Sequence, residues 1–109
     1  MSYNVLTIPP FDKQIKRLVK KYPSLKNEFA ELLEVLEQDP EKGTYIGYNC
    51  YKIRISIASK VKGKSSGARV ITNFVVSEET VFLISIYDKS ERENLTDKEL
   101  KELLKYVPE

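Results

Sequence analysis

Seven cationic side chains and no carboxylate lie between residues 42 and 77: Lys42, Lys52, Arg54, Lys60, Lys62, Lys64 and Arg69. The flanks are mixed, with six Lys/Arg and seven Asp/Glu in residues 1–41, and five and nine in residues 78–109. A net charge of +2 therefore hides a cationic middle third, the electrostatic footprint of a polyanionic partner. Arg54 and Arg69 are the natural phosphate clamps, because a planar guanidinium offers two donors to two oxygens at once. Lys52 shares a strand face with Arg54 and can add phosphate contacts. A lysine crowded by other cations can lose its proton more easily and act as a base. Lys60, Lys62 and Lys64 are the candidates, and the sequence does not separate them. Such a loop taken alone is more often a solvated turn; the acid-free surroundings favour a site. Downstream, Tyr87 can stack on a base, or orient or donate a proton, while Lys89 and Arg92 can stabilise a leaving group. Tyr87 is read equally well as a strand-end residue half-buried against its neighbours. Glu91 and Glu93 rank below the lysines as bases, since a cationic site favours their ionised form.

Other chemistries lack their residues. His is absent and Cys50 is the single cysteine, so a zinc site has no ligand set and no cofactor is expected. Cys50 is expected as a small buried hydrophobe. No apolar run approaches the ~20 residues of a membrane span. Residues 1–10 lack the basic-then-apolar order of a signal peptide, and a cytoplasmic setting is expected. With 109 residues, residues 1–109 read as one domain.

The elements that must position these side chains are legible from periodicity. Val5 to Ile8 reads as a short strand. Phe11, Ile15, Leu18, Val19 and Tyr22 form a helix face, with Lys16, Arg17, Lys20 and Lys21 on a solvated side. Pro23 breaks that helix, Ser24 is placed to cap the next, and Leu25, Phe29, Leu32, Leu33 and Leu36 repeat the spacing. From Tyr51 the period becomes two: Tyr51, Ile53 and Ile55 alternate with Lys52 and Arg54. Residues 60–67 read as a turn, 68–76 as a second strand and 80–87 as a third. Tyr45, Tyr48 and Tyr51 read as cover for the sheet edge, with base stacking as the alternative. Thr96 and Glu99 form a capping box for a last helix, with Leu95 stapled onto Leu100. The order is β-α-α-β-β-β-α, an α+β fold with a small antiparallel sheet, an N-terminal helical hairpin and a C-terminal helix.

With those elements in place, YKIRIS (Tyr51–Ser56), SKVKGKSSGAR (Ser59–Arg69) and LISIYDKSERENLT (Leu83–Thr96) resemble the RelE/HigB branch of the RelE/ParE superfamily of toxins. The two preceding helices extend the resemblance over nearly the whole chain. Val61 and Ser66 stand where the family loop often has Gly, Asn73 where relatives are often aromatic, and the His of some relatives is missing.

The resemblance implies a type II toxin that cuts mRNA at the ribosome without a metal, neutralised by a cognate antitoxin. That antitoxin is expected to be a helix-turn-helix protein and to carry any operator-DNA binding; no membrane partner is implied. Metal-free RNA cleavage uses the ribose 2′-hydroxyl as nucleophile, cations around the phosphorane and a donor for the leaving 5′-oxygen. Arg54, Lys60, Lys62, Lys64, Arg69, Tyr87 and Lys89 are the catalytic candidates. Lys52, Arg54, Lys62, Lys64, Arg69 and Arg92 are the RNA-binding ones. Two other readings share the fold: a ParE-like DNA gyrase poison and a binding module without catalysis.

Overall fold

The structure, a computed structural model, describes residues 2–59 and 67–108. Its elements are β1 (Asn4–Thr7), α1 (Pro9–Lys21), α2 (Leu25–Gln38), β2 (Thr44–Gly47), β3 (Cys50–Ile55), β4 (Ala68–Val75), a 3-10 turn (Val76–Glu78), β5 (Thr80–Asp88) and α3 (Asp97–Leu104). The sheet runs β1-β5-β4-β3-β2. The α+β class and the helix order agree with the reading from sequence. Two features were not legible there: β2 is a fifth strand, and β1 pairs parallel to β5 from Asn4↔Thr80.

Helix α1 starts on Pro9 and Pro10, carries Asp12 in its first turn and ends on Lys20 and Lys21. Proline's fixed φ suits the first helical positions, and both charges complement the helix dipole. Phe11 and Leu18 are its buried residues; Leu25, Leu32 and Leu36 are those of α2. Ser24 does not cap α2, contrary to expectation: its backbone is helical and its hydroxyl makes no cap bond. That hydroxyl instead lies 2.8 Å from Ser59 Oγ and accepts from Ser59 N at 2.9 Å. Glu28 Oε2 accepts from Ala58 N at 2.7 Å. The start of α2 thus tethers the chain leaving β3.

All nine residues of β5 are buried, as expected for a central strand covered on both faces. Along its pairing with β4, Ile71 faces Ser85 and Thr72 faces Leu83. Ile84 is therefore an extra residue, a bulge that re-phases the strand. Past the end of β1, the open edge of β5 is met by Gln14 of α1, whose Oε1 accepts from Ile86 N at 2.9 Å. Ile53 and Ile55 line a groove with Leu32 and Val35 of α2. Across the sheet, Leu95 and Leu100 share a cavity with Lys52, Ile71 and Tyr87, so α3 covers that face.

Between β2 and β3, Tyr48 and Asn49 have φ of 55° and 60°, the left-handed pair of a two-residue hairpin turn. Asn73 Nδ2 donates to Tyr48 O at 2.9 Å and to Asn49 O at 3.2 Å, holding the turn from beneath. Tyr45 and Tyr51 pack edge to face at 5.3 Å, while Tyr45 and Tyr48 remain exposed. Cys50 is fully buried, and burial pushes its thiol pKa up.

Candidate nucleic-acid interface

Strand register assembles the centre of the site. Arg54 on β3 pairs directly with Arg69 on β4, and Arg69 pairs with Tyr87 on β5. Directly opposed residues project from the same face, so the three side chains form one row across the sheet. The neighbouring row on that face is Lys52, Ile71 and Ser85. Like charges placed opposite each other destabilise a sheet, and no carboxylate lies anywhere in residues 42–77. A local rule broken this way is expected where function demands it.

The row runs from exposed to buried. Arg54 is exposed, whereas Arg69 is 4% and Tyr87 6% accessible. Arg69 Nη1 donates to Ala68 O at 3.2 Å, which steadies the guanidinium. Gly67 makes the strand start possible. Its φ is +81°, and a Cβ there would sit 2.2 Å from Ile55 O. Only glycine lets β4 leave the loop this close to β3.

Tyr87 stands at the buried end of the row. Its hydroxyl is fully buried and has no hydrogen-bond partner among the described residues. Burial raises its pKa, against smaller lowering effects from the nearby Arg69 and Arg92. The phenol thus stays protonated at neutral pH. Arg92 lies over the Tyr87 ring, 5.7 Å from its centroid. Its fork is already committed, to Asn94 O at 2.9 and 3.2 Å and to Glu99 Oε1 at 2.5 Å. Arg92 therefore roofs Tyr87 and pins the start of α3.

The other candidates separate. Lys52 Nζ donates to Asn94 Oδ1 at 3.0 Å. Lys89 lies just past the row, with its Nζ 3.7 Å from Glu93. Lys60, Lys62 and Lys64 lie outside the described residues, with Val61 and Ser66. Glu91 accepts from Arg17 at 2.7 Å and from Lys21 at 2.9 Å. Those bonds hold its pKa below the usual carboxylate range, which disfavours it as a base. Two residues escaped the sequence reading. Asp88 is fully buried, accepting from Tyr22 Oη at 2.6 Å and Ser90 Oγ at 2.6 Å, and it fixes the end of β5 behind Tyr87. Asn94 touches Lys52 across 42 residues of chain. The Asp-x-Ser spacing was a usable sign for the first; nothing local signals the second. Among the described residues no cluster of three His, Cys, Asp or Glu could hold a metal ion. No described helix is long and apolar enough to cross a membrane.

The family model for the RelE toxin of RelE/RelB toxin–antitoxin systems matches residues 11–108. Among solved structures, a mutant of the E. coli toxin RelE in the free state is 20% identical. That match covers 99% of this chain and 100% of the other, with a TM-score of 0.62. A metal-bound toxin from Helicobacter pylori is 19% identical, with 82% of this chain and 97% of that one covered and a TM-score of 0.52. At these identities the structural likeness carries the fold.

Proposed function

Since the chain belongs to the RelE toxin family of toxin–antitoxin systems, with a cognate antitoxin as the implied partner, we propose that it is a ribosome-dependent, metal-independent endoribonuclease that cuts mRNA and stops translation. The observation that carries this reading is the Arg54–Arg69–Tyr87 row. It lines up two guanidinium groups and a protonated phenol on one face, an arrangement that supports phosphate binding beside a proton donor. A gyrase poison has no need of that convergence.

In the reaction, the ribose 2′-oxygen attacks the adjacent phosphorus and the P–O5′ bond breaks. The products are a 2′,3′-cyclic phosphate and a 5′-hydroxyl end. Arg54 and Arg69 stabilise charge building on the non-bridging oxygens, and Tyr87 can give the 5′-oxygen its proton. Lys89, next along the chain, adds positive charge on the leaving-group side. The proton of the 2′-hydroxyl goes to a base, for which the lysines of residues 60–64 remain the candidates. Lys52 contributes binding, and Arg92 acts by holding Tyr87.

The test is pulsed expression in a bacterial host with mapping of new 5′ ends on cellular mRNA. Discrete cuts in translated frames, lost in the Arg54→Ala, Arg69→Lys variant, are the expected result. Lysine at 69 keeps the charge and the buried stem but loses the fork. Growth arrest with intact mRNA would instead support the gyrase reading, and absence of arrest the non-catalytic one.

A further inference from the structure

The bend between α1 and α2, Tyr22-Pro23-Ser24, holds two separate parts of the site. Tyr22 ends α1 in an extended conformation, with φ of −128° and ψ of 92°. Pro23 fixes its own φ and keeps the residue before it out of the helical region. Ser24 follows with helical backbone angles. The two hydroxyl-bearing side chains thus leave a stiff tripeptide, so a displacement of one carries to the other. Tyr22 Oη donates to Asp88 Oδ2 at 2.6 Å. Ser90 donates to Oδ1 of the same carboxylate, through its hydroxyl at 2.6 Å and its N–H at 2.9 Å. Asp88 is fully buried, and a buried carboxylate demands such donors. It follows Tyr87 at the end of β5, projects from the opposite face and opens the turn that carries Lys89 and Arg92. Ser24 makes a reciprocal pair with Ser59. Ser24 N donates to Ser59 Oγ at 3.1 Å, and Ser59 N donates to Ser24 Oγ at 2.9 Å. At Ser59 the chain enters the segment with Lys60, Lys62 and Lys64. Where that segment ends, Gly67 O accepts from Lys89 N at 3.0 Å. Entry, exit and the end of β5 are therefore tied to one bend.

We infer that Tyr22 and Ser24 are positioning residues for cleavage, which together fix the lysine-bearing segment relative to Tyr87. The assignment rests on the nuclease reading above. Cleavage of that kind needs a proton acceptor at the attacking oxygen and a donor at the leaving one, both aligned on the same phosphorus. The base candidates lie in residues 60–64 and the donor is Tyr87, on separate segments of the chain. Strand pairing aligns Tyr87 with Arg54 and Arg69. The bend adds the alignment of the lysine segment, through Ser24 on one arm and Tyr22 with Asp88 on the other. Neither Tyr22 nor Ser24 belongs to the arginine row, so loss of either hydroxyl leaves the phosphate-binding groups in place. What it changes is alignment, and a misplacement of about 1 Å can cost ~10²-fold in rate.

Tyr22→Phe and Ser24→Ala each remove one oxygen from the full chain, and two measurements read the result. Amide hydrogen exchange needs no substrate. Each variant should speed exchange on the far arm as well as its own: Ser24→Ala at Lys89 and Ser90, Tyr22→Phe at Ala58 and Ser59. Cleavage on programmed ribosomes, well below the melting temperature of every variant, should show kcat lowered at least about tenfold with KM unchanged. The double variant should be no slower than the slower single one, because residues that act as a unit are not additive. Ser24→Thr, which keeps the hydroxyl, should recover the rate lost in Ser24→Ala. If Tyr22→Phe unfolds because Asp88 loses a donor, Tyr22→Phe with Asp88→Asn removes the buried charge and takes its place in both assays. Exchange effects confined to each variant's own arm overturn the coupling. Cross-arm exchange with a parent-like kcat, or a change in KM alone, overturns the positioning role and leaves the nuclease standing. A parent that leaves mRNA intact removes the nuclease reading and the catalytic part of the assignment with it, while exchange still decides the coupling.

Discussion

At the residue scale, Arg54, Arg69 and Tyr87 share a row but differ in what they contribute to folding. Arg54 is exposed and faces a like charge, so Arg54→Ala should leave the melting temperature unchanged or slightly higher. Cleavage should nevertheless fall ~10²–10³-fold, the usual loss for one transition-state donor. A thermal melt beside a toxicity assay reads both. Tyr87→Phe separates stability from activity in the same way. The lost hydroxyl is buried and has no partner among the described residues, and leaving such a group unsatisfied costs about 1–3 kcal/mol. The variant should therefore be as stable as the parent or more so, yet cut ~10²-fold less if the phenol is the proton donor. A destabilised Tyr87→Phe protein would mean that the hydroxyl has a partner in solution.

At the element scale, two local devices hold the site together. Gly67 starts β4 where a Cβ would overlap Ile55 O. Gly67→Ala should cost about 1–3 kcal/mol through backbone strain, visible as a lower urea midpoint, and should also displace Arg69. The second device is the start of α3, where Thr96 and Glu99 form the capping box and Arg92 bonds Glu99. The Arg92 bond, then the Thr96 backbone, lower the Glu99 pKa from 4.5 to about 2. A depressed carboxyl stabilises the fold fully above its unfolded pKa, and that contribution is lost as pH falls through the folded value. The stability difference between parent and Glu99→Gln should therefore be constant above about pH 4.5 and vanish towards pH 2. Melting curves over that range check it, and a difference that persists at pH 2 would rule out Glu99 ionisation as its source. Because Glu99 is partly exposed, solvent screening keeps the effect small.

At the scale of the whole molecule, charge distribution matters more than net charge. Lys52, Arg54 and Arg69, from the cationic third of the chain, share one face of the sheet, while Arg17 and Lys21 on α1 pair with Glu91. RNA affinity should then depend on salt through the sheet face. With Lys52, Arg54 and Arg69 as three phosphate contacts, log K should fall with log salt at a slope of about −2, or about −0.7 per contact on a single strand. Arg54→Ala should reduce that slope, and Arg17→Ala should leave it unchanged. A slope that responds to Arg17 would move the binding surface to the helical hairpin.

By itself, the sequence determined the two amphipathic helices, the alternating strands with Lys52 and Arg54 on one side, the Thr96–Glu99 capping box and the acid-free cationic segment. Each is a short-range pattern, set by the 3.6- or 2-residue period or by residues three apart. It also marked Arg54, Arg69 and Tyr87 as candidates without revealing that they form one row. Only the tertiary structure decided that row, because cross-strand register depends on how three separate segments pack and on where the Ile84 bulge falls. It likewise decided that Ser24 turns to Ser59 rather than capping α2, and that Glu91 is held by α1. The parallel pairing of β1 with β5 spans 76 residues, from Asn4 to Thr80. The Asn94 contact to Lys52 spans 42. No local pattern encodes either, since both exist only once the core has brought distant segments together.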